Sequence, residues 1–158
     1  MTQFALNLVM ALLWLFLSGG NSFVSFVLGY VVGFVLLRLF RAVLPEDGYV
    51  RRTLALLRFL GGFAGEFVKS NVAITRAIVF ARRDALHPNF LTYDVAGLSR
   101  FEVLLLSHCI ALTPGTSTVL VSDDWQTLVL HAMDARDPAA VRADIDRGLR
   151  TPLLAFTR

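Results

Sequence analysis

Two long apolar runs open the chain and predict a pair of helices. They extend from Phe4 to Phe16 and from Phe23 to Phe40, and they consist almost entirely of Leu, Val, Phe, Ala and Met. With a few flanking residues, each run approaches the roughly 20 residues that cross the hydrocarbon core of a bilayer. Only Ser18 to Ser22 separate the runs, and a break this short favours antiparallel helices. We therefore predict an α-helical membrane hairpin, with two transmembrane helices, over residues 1–41.

A cleaved signal peptide is the alternative interpretation of the first run. Small residues near Ser18 to Gly20 resemble a cleavage site. Signal peptides begin with basic residues, however, and Met1-Thr2-Gln3 contains none. The sequence therefore favours a retained helix.

The placement of charge predicts how the hairpin is oriented. Arg38 lies at the end of the second run and Arg41, Arg51 and Arg52 follow it, whereas the break at residues 18–22 carries no charge. Positive residues concentrate on the cytoplasmic side of membrane proteins. We therefore predict a multi-pass plasma-membrane protein whose hairpin loop is external, with the N-terminus and everything after Arg41 cytoplasmic.

Two glycines in the second run predict a helix-packing interface. Gly29 and Gly33 form a small-xxx-small motif, which lets another helix approach closely where lipid provides no hydrophobic driving force. The alternative is the ordinary tolerance of membrane helices for glycine.

A third apolar stretch, from Leu54 to Ala81, contains charged residues at helical spacing. On a helix, four basic residues fall on one narrow line that we interpret as facing the membrane surface: Arg58, Lys69, Arg76 and Arg83. Basic pairs stand at both ends of the stretch, so a full crossing would place one pair on the disfavoured side. We predict an amphipathic helix along the cytoplasmic interface, within a basic juxtamembrane segment of residues 42–87. A third membrane span, buried among partners, remains the alternative.

The remainder of the chain, residues 88–158, has the pattern of a small α+β domain. Strands are predicted at 90–95, 116–121 and 126–131, and helices at 98–112 and from Asp137-Pro138 to about Leu149, where Pro152 limits the last helix. The order β-α-β-β-α resembles a ferredoxin-like unit without its final strand. Such a small domain has a thin core, so packing on the membrane helices or a partner would stabilise it.

Composition supports lipid as the solvent for part of the chain. Of the 158 residues, 56% are hydrophobic and 17% charged. The net charge is +3, and the basic side chains lie beside apolar segments rather than in a cluster interleaved with aromatic residues. Nucleic acid is therefore not predicted as a partner. A single cysteine, Cys109, excludes an internal disulfide and a cysteine-based metal site.

Candidate catalytic groups are few. The best constellation is Asp123, Asp124, His131 and Asp134, with His108 elsewhere. Asp123-Asp124 stands where a hairpin turn favours such residues. We find no phosphate-binding glycine loop and no metal-ligand spacing. We therefore predict no enzyme activity, no cofactor and no metal.

The predicted hairpin also lacks the groups that carry ions. Met1 to Leu37 contains no Asp, Glu, Lys, Arg or His. Transport of a proton or cation requires ionisable groups within the bilayer. This hairpin alone is therefore not a proton relay.

Three segments carry a resemblance to a known family: Ala111 to Thr116, Val119 to Val121, and Leu130 to Asp134. Together with the N-terminal hairpin, the basic region and the length, they resemble the E subunit of the multi-subunit, Mrp-type Na+/H+ antiporters. The resemblance implies a bacterial or archaeal plasma-membrane complex that exchanges cytoplasmic Na+ for external H+. In such complexes the larger subunits hold the intramembrane Lys, Glu and His residues, and the E subunit is small and accessory.

Six residues of these segments are predicted to form a structural turn or an interface: Thr113, Pro114, Gly115, Thr116, His131 and Asp134. Pro114-Gly115 suits a tight turn in which Gly115 has a positive φ.

The first functional hypothesis is an accessory, non-catalytic subunit that supports assembly with the other antiporter subunits and with membrane lipid. The second is a membrane-anchored cytoplasmic module that binds a ligand or has a regulatory role. The third is an enzyme that uses His131 and Asp134.

Overall fold

The N-terminal helices pack against each other in opposite directions. In the computed structural model, which describes residues 2–19, 22–44, 48–80 and 87–158, α1 spans Thr2–Leu17 and α2 spans Phe23–Leu39. Gly29 lies against Trp14, and Gly33 lies against Asn7 and Met10. A Cβ atom at Gly29 would stand 2.6 Å from the Trp14 Cβ atom. The helix that approaches both glycines is therefore α1 of the same chain.

These helices belong to the first of two compact units, Met1–Leu54 and Ala55–Arg158. Among the described helices, none combines the length and the apolar character that a membrane crossing requires. Gly20 and Asn21 of the predicted loop lie outside the described residues. So do Ala81 and the basic pair Arg82-Arg83 that was predicted to end the third stretch.

The third helix, α3, spans Tyr49–Phe80, and from Ala55 onward it belongs to the second unit. Phe59 is buried in the core of that unit and Phe63 packs against the same core. The Phe59 ring lies 5.2 Å from the ring of Phe156, near the C-terminus. The sequence predicts residues 42–87 as a separate segment. The structure instead groups most of α3 with the α+β domain, because two aromatic side chains anchor it there.

The second unit contains a three-stranded antiparallel sheet in the order β1-β3-β2. The strands span Asn89–Asp94 (β1), Thr116–Val121 (β2) and Thr127–Ala132 (β3), and α4 spans Arg100–Leu112. Alternate residues of β3, Leu128 and Leu130, are buried. The β-α-β-β-α order is as predicted. The predicted start of α4 at Leu98 is two residues early, because Ser99 is the N-cap.

The C-terminal helix continues beyond the predicted stop at Pro152. It consists of α5 (Pro138–Ile145), a π-helical segment (Asp146–Arg150) and α6 (Thr151–Thr157). The Thr151 N–H donates to the Asp146 carbonyl, five residues earlier. A proline in an α-helix clashes with the carbonyl four residues before it. The wider π turn relieves this clash, so the expectation that Pro152 limits the helix is wrong.

Candidate functional site

The predicted turn at residues 113–116 closes the C-terminal end of α4. The Thr113 hydroxyl donates to the Ile110 carbonyl at 2.8 Å, and the Thr116 hydroxyl reaches the same carbonyl at 3.4 Å. The last carbonyls of a helix have no partner within the helix, so the two threonines satisfy one of them. Gly115 has a φ of 100°, and its carbonyl accepts from the Met133 N–H at 2.8 Å. The turn therefore joins α4 to the end of β3.

His131 and Asp134 have different partners. The His131 ring lies 5.2 Å from the Phe90 ring in an edge-on arrangement. The Asp134 carboxylate accepts from the Arg136 guanidinium, with a shortest distance of 2.5 Å. This hydrogen bond lowers the pKa of Asp134 below its ordinary value. Among the described residues, His131 therefore contacts a neighbouring strand and Asp134 contacts its own loop.

The other candidate groups also have local roles. The Asp124 carboxylate accepts from the Ser122 hydroxyl at 2.5 Å and from the Gln126 N–H at 3.0 Å, and the first bond lowers its pKa. Cys109 is buried, and burial raises the pKa of its thiol. The His108 ring bonds the Leu104 carbonyl at 2.6 Å. Within the described ranges, no group of three or more His, Cys, Asp or Glu side chains could hold a metal ion.

A cleft of about 520 Å³ lies in the second unit. One wall comes from α3, another from Thr113, Pro114 and Thr116 of the turn, and a third from the C-terminal helix. Two ion pairs line it: Lys69 with Glu66 at 3.4 Å, and Arg147 with Asp144. The lining therefore carries equal numbers of positive and negative groups and favours neither a cation nor an anion.

A polar cluster within the first unit was not predicted from the sequence. Asn7 is fully buried, and its amide Nδ2 donates to the Tyr49 hydroxyl at 2.9 Å. The Tyr49 hydroxyl also bonds the Tyr30 hydroxyl at 2.5 Å. The rings of Phe4 and Phe34 each lie 5.8 Å from the Tyr49 ring. The start of α3 is thereby held between α1 and α2.

A buried carboxylate in the second unit was also missed. Glu102 accepts from the Ser99 N–H at 2.7 Å, the Thr157 hydroxyl at 2.7 Å and Arg158 Nε at 3.2 Å. The pKa of Glu102 falls to about 2, chiefly because of Arg158. The spacing Ser-x-x-Glu before an apolar run is the signature of a capping box. That signal was present at Ser99 and Glu102 in the sequence.

Large apolar side chains remain exposed along both N-terminal helices, including Phe16, Leu17 and Phe23. Three carboxylates of the second unit have local partners: Glu102 in the cap of α4, Asp124 in a turn and Asp134 in an ion pair. A helical unit with an exposed apolar surface, joined to a small α+β unit, is typical of a subunit of a larger membrane assembly.

Comparison with known proteins gives the family. The family model described as a Na+/H+ ion antiporter subunit matches residues 7–156. The chain belongs to this family of antiporter subunits. The E1 subunit of a Na+/H+ antiporter of Staphylococcus saprophyticus is 33% identical over 132 residues, which cover 84% of this chain and 82% of that protein. The E subunit of the Na+/H+ antiporter of Alkalihalophilus pseudofirmus is 30% identical over 156 residues, or 99% and 98% of the two chains.

Solved structures give a consistent result. A chain from the Mrp complex of a Dietzia species has a TM-score of 0.51 and 26% identity, over 65% of this chain and 96% of that chain. A chain from an archaeal respiratory membrane complex, the membrane-bound sulfane sulfur reductase, has a TM-score of 0.50. Its 18% identity, over 85% of this chain and 84% of that chain, shows a likeness of fold alone.

Family membership confirms the resemblance drawn from the segments around Thr113 and His131. The chain is a subunit of a multi-subunit cation/proton antiporter of the membrane, and its partners are other subunits of that complex. The helices and the three-stranded antiparallel sheet match this class of subunit.

Proposed function

We propose that this chain is an accessory, non-catalytic subunit that supports assembly and stability of the antiporter complex. One observation carries the proposal: Met1 to Leu37 contains no Asp, Glu, Lys, Arg or His. An ion that crosses hydrocarbon without a polar group to receive it faces a cost of several kcal/mol. The hairpin therefore offers no ion path of its own, and its role is in helix packing.

The polar groups of the first unit support the same proposal. Asn7 and Tyr30 each bond the Tyr49 hydroxyl, so these groups connect helices. In the second unit, Asp134 pairs with Arg136 and Asp146 with Arg150 at 3.7 Å. These groups stabilise local structure, which suits a subunit that acts through its shape.

We further propose that α1 and α2 insert into the bilayer as a hairpin. Their 16 and 17 residues correspond to about 24–26 Å of helix at 1.5 Å per residue. The hydrocarbon core is about 30 Å thick, and local thinning of the bilayer accommodates a shorter helix at modest cost. The exposed apolar side chains would then contact lipid or the larger subunits.

The orientation of the hairpin follows from Arg38, Arg41 and the basic residues that begin α3. We propose an external loop, with the N-terminus and the α+β domain in the cytoplasm. In a Cys109→Ser background, Ser18→Cys should react with an impermeant thiol reagent added to intact cells. Asp123→Cys should react only after permeabilisation. Labelling of Asp123→Cys from outside would show that the orientation is the reverse.

Ion transport itself provides the decisive test of the accessory role. Glu66→Gln, Lys69→Gln, His131→Ala and Asp134→Asn remove the plausible carriers, and antiport is measured in vesicles and normalised to assembled complex. We expect wild-type normalised activity and ion affinity from all four. A hairpin variant, Gly29→Leu, should instead lower the amount of complete complex. If Glu66→Gln or Lys69→Gln abolished normalised activity, α3 would line the ion path and the accessory role would be wrong.

A regulatory ligand-binding module is the second candidate, because the cleft of about 520 Å³ has the size of a small-molecule site. The probes are Na+, K+ and inorganic phosphate, added to the full chain in detergent. A ligand that binds the folded state raises the unfolding temperature. A rise with Na+ or K+ that Glu66→Gln or Asp144→Asn abolishes, or a rise with phosphate that Lys69→Gln or Arg147→Gln abolishes, would favour this function over a purely structural one.

A further inference from the structure

Helix α3 presents three different faces along its length. With 3.6 residues per turn, Phe59, Phe63 and Ser70 lie on one face, and this face packs toward the domain. The phenylalanines occupy the core that also contains residues of the sheet and the C-terminal helix. The packed face shows which side of α3 is turned away from the domain, and periodicity alone could not show this.

The side turned away from the domain is apolar and exposed. Leu57, Leu60, Val68 and Val72 lie on this side, and their exposed fractions range from 45% to 60%. Gly61 and Ala64 continue it, and a Cβ atom at Gly61 would meet nothing within 4 Å. Asn71 and Thr75 lie on the same side, where their side chains bond the carbonyls of Phe67 and Asn71 at 2.7 Å. The apolar surface from Leu57 to Val68 is therefore the part that marks an interaction site.

A basic line borders the apolar side. Arg58, Lys69 and Arg76 share one edge of the helix. Within the described ranges, neither Arg58 nor Arg76 has a hydrogen bond or ion pair. Glu66 is the one acidic residue in the sequence of α3, and it pairs with Lys69. The edge therefore carries uncompensated positive charge beside apolar surface.

We infer that α3 binds the surface of a membrane that contains anionic phospholipid. Its apolar side would enter the boundary of headgroups and acyl chains, and Arg58, Lys69 and Arg76 would contact the phosphates, as in amphipathic helices that lie in the interface. This inference rests on the proposed placement of the domain at the cytoplasmic leaflet. The third-span alternative fits poorly, since Phe59 and Phe63 attach α3 to a domain whose other surfaces carry ion pairs.

Charge complementarity selects lipid over a partner helix as the occupant. A neighbouring apolar helix would cover Leu57 and Val68 but would leave Arg58 and Arg76 without counter-charge. An anionic bilayer supplies both the apolar medium and the phosphates. Basic residues beside an apolar face are the pattern by which helices recognise such a surface.

Photo-crosslinking in the assembled complex tests the inference. Val68 is replaced by p-benzoylphenylalanine, the complex is reconstituted in vesicles of equal parts phosphatidylcholine and phosphatidylglycerol, and the adducts are identified by mass. We expect lipid adducts enriched in phosphatidylglycerol over its share of the vesicle. The same probe at Thr92, on the exposed face of β1, should give no lipid adduct.

Charge variants complete the design. Arg58→Gln with Arg76→Gln should abolish the enrichment in phosphatidylglycerol, whereas Arg136→Gln with Arg147→Gln, which changes net charge equally, should leave it intact. An adduct to another subunit at Val68, or lipid adducts without enrichment, would overturn the inference. External labelling of Asp123→Cys together with enriched lipid adducts would overturn the proposed orientation but retain the lipid contact.

Discussion

Replacing Glu102 with glutamine removes a buried carboxylate that connects the beginning of α4 to the end of the chain. The side chain is 4% exposed and accepts hydrogen bonds from Ser99, Thr157 and Arg158. Glutamine keeps the shape but turns one acceptor into a donor, which then faces other donors. We expect the full chain to become less stable at neutral pH.

The magnitude follows from the pKa of Glu102, which is about 2 in the folded chain against 4.5 for an ordinary glutamate. At about 1.4 kcal/mol per pKa unit, the ionised form gains roughly 3 kcal/mol from the fold. The Arg158 side chain is 56% exposed, and water screens its charge, so we expect about 1–2 kcal/mol. Because the folded pKa is depressed, this contribution is complete above pH 4.5 and is lost as the pH falls toward 2.

Thermal unfolding of the full chain in detergent measures the effect. Trp14→Phe leaves Trp125 as the tryptophan reporter, and Arg100 stands over its ring at 5.4 Å, near the start of α4. Glu102→Gln should lower the unfolding temperature at pH 7 and flatten its pH dependence between pH 4.5 and 2. Asp144→Asn, at an exposed ion pair, should change stability by less than about 1 kcal/mol. A variant that retained the wild-type pH dependence, or lost no more stability than Asp144→Asn, would refute the reasoning.

Three further substitutions test the packing of α1, α2 and α3. Gly29→Ala should destabilise the hairpin by about 1–3 kcal/mol, because the added methyl group overlaps Trp14. Gly61→Ala, whose methyl group meets no atom, should stabilise α3 by about 0.5–1 kcal/mol. Denaturant titrations followed by circular dichroism measure both changes, and equal effects on stability would contradict the packing. Tyr49→Phe leaves the buried Asn7 amide without its acceptor and should cost about 1–2 kcal/mol; an unchanged Trp14 fluorescence transition would contradict it.

Much of the α+β domain could be predicted because its signals are local. Asp137 caps α5 through bonds to two N–H groups, and Pro138 occupies the first helical turn, as their order in the sequence indicates. Gly115 adopts the positive φ expected of a tight turn. These features depend on a few neighbouring residues, so the sequence carries them directly.

Features that depend on tertiary contacts could not be predicted. Periodicity identified α3 as amphipathic. It could not show that the Phe59 ring contacts the ring of Phe156, almost a hundred residues later in the chain. The π turn before Pro152 is a local rearrangement without a sequence signature of its own. Of the candidate site, the sequence indicated the turn at Thr113. It provided no reason to pair Asn7 with Tyr49, whose contact depends on where α3 begins.

The described residues lack the final strand of the ferredoxin-like order, and arginine side chains bond one exposed edge of the sheet. In the three-stranded sheet of the described residues, β1 is an edge, and two of its carbonyls bond arginine side chains instead of a strand. Arg142 Nε donates to the Thr92 carbonyl at 2.8 Å, and Arg150 Nη1 donates to the Asp94 carbonyl at 3.1 Å. Charged side chains on an edge oppose the addition of another strand. The β1 edge is therefore a poor site for a partner's strand.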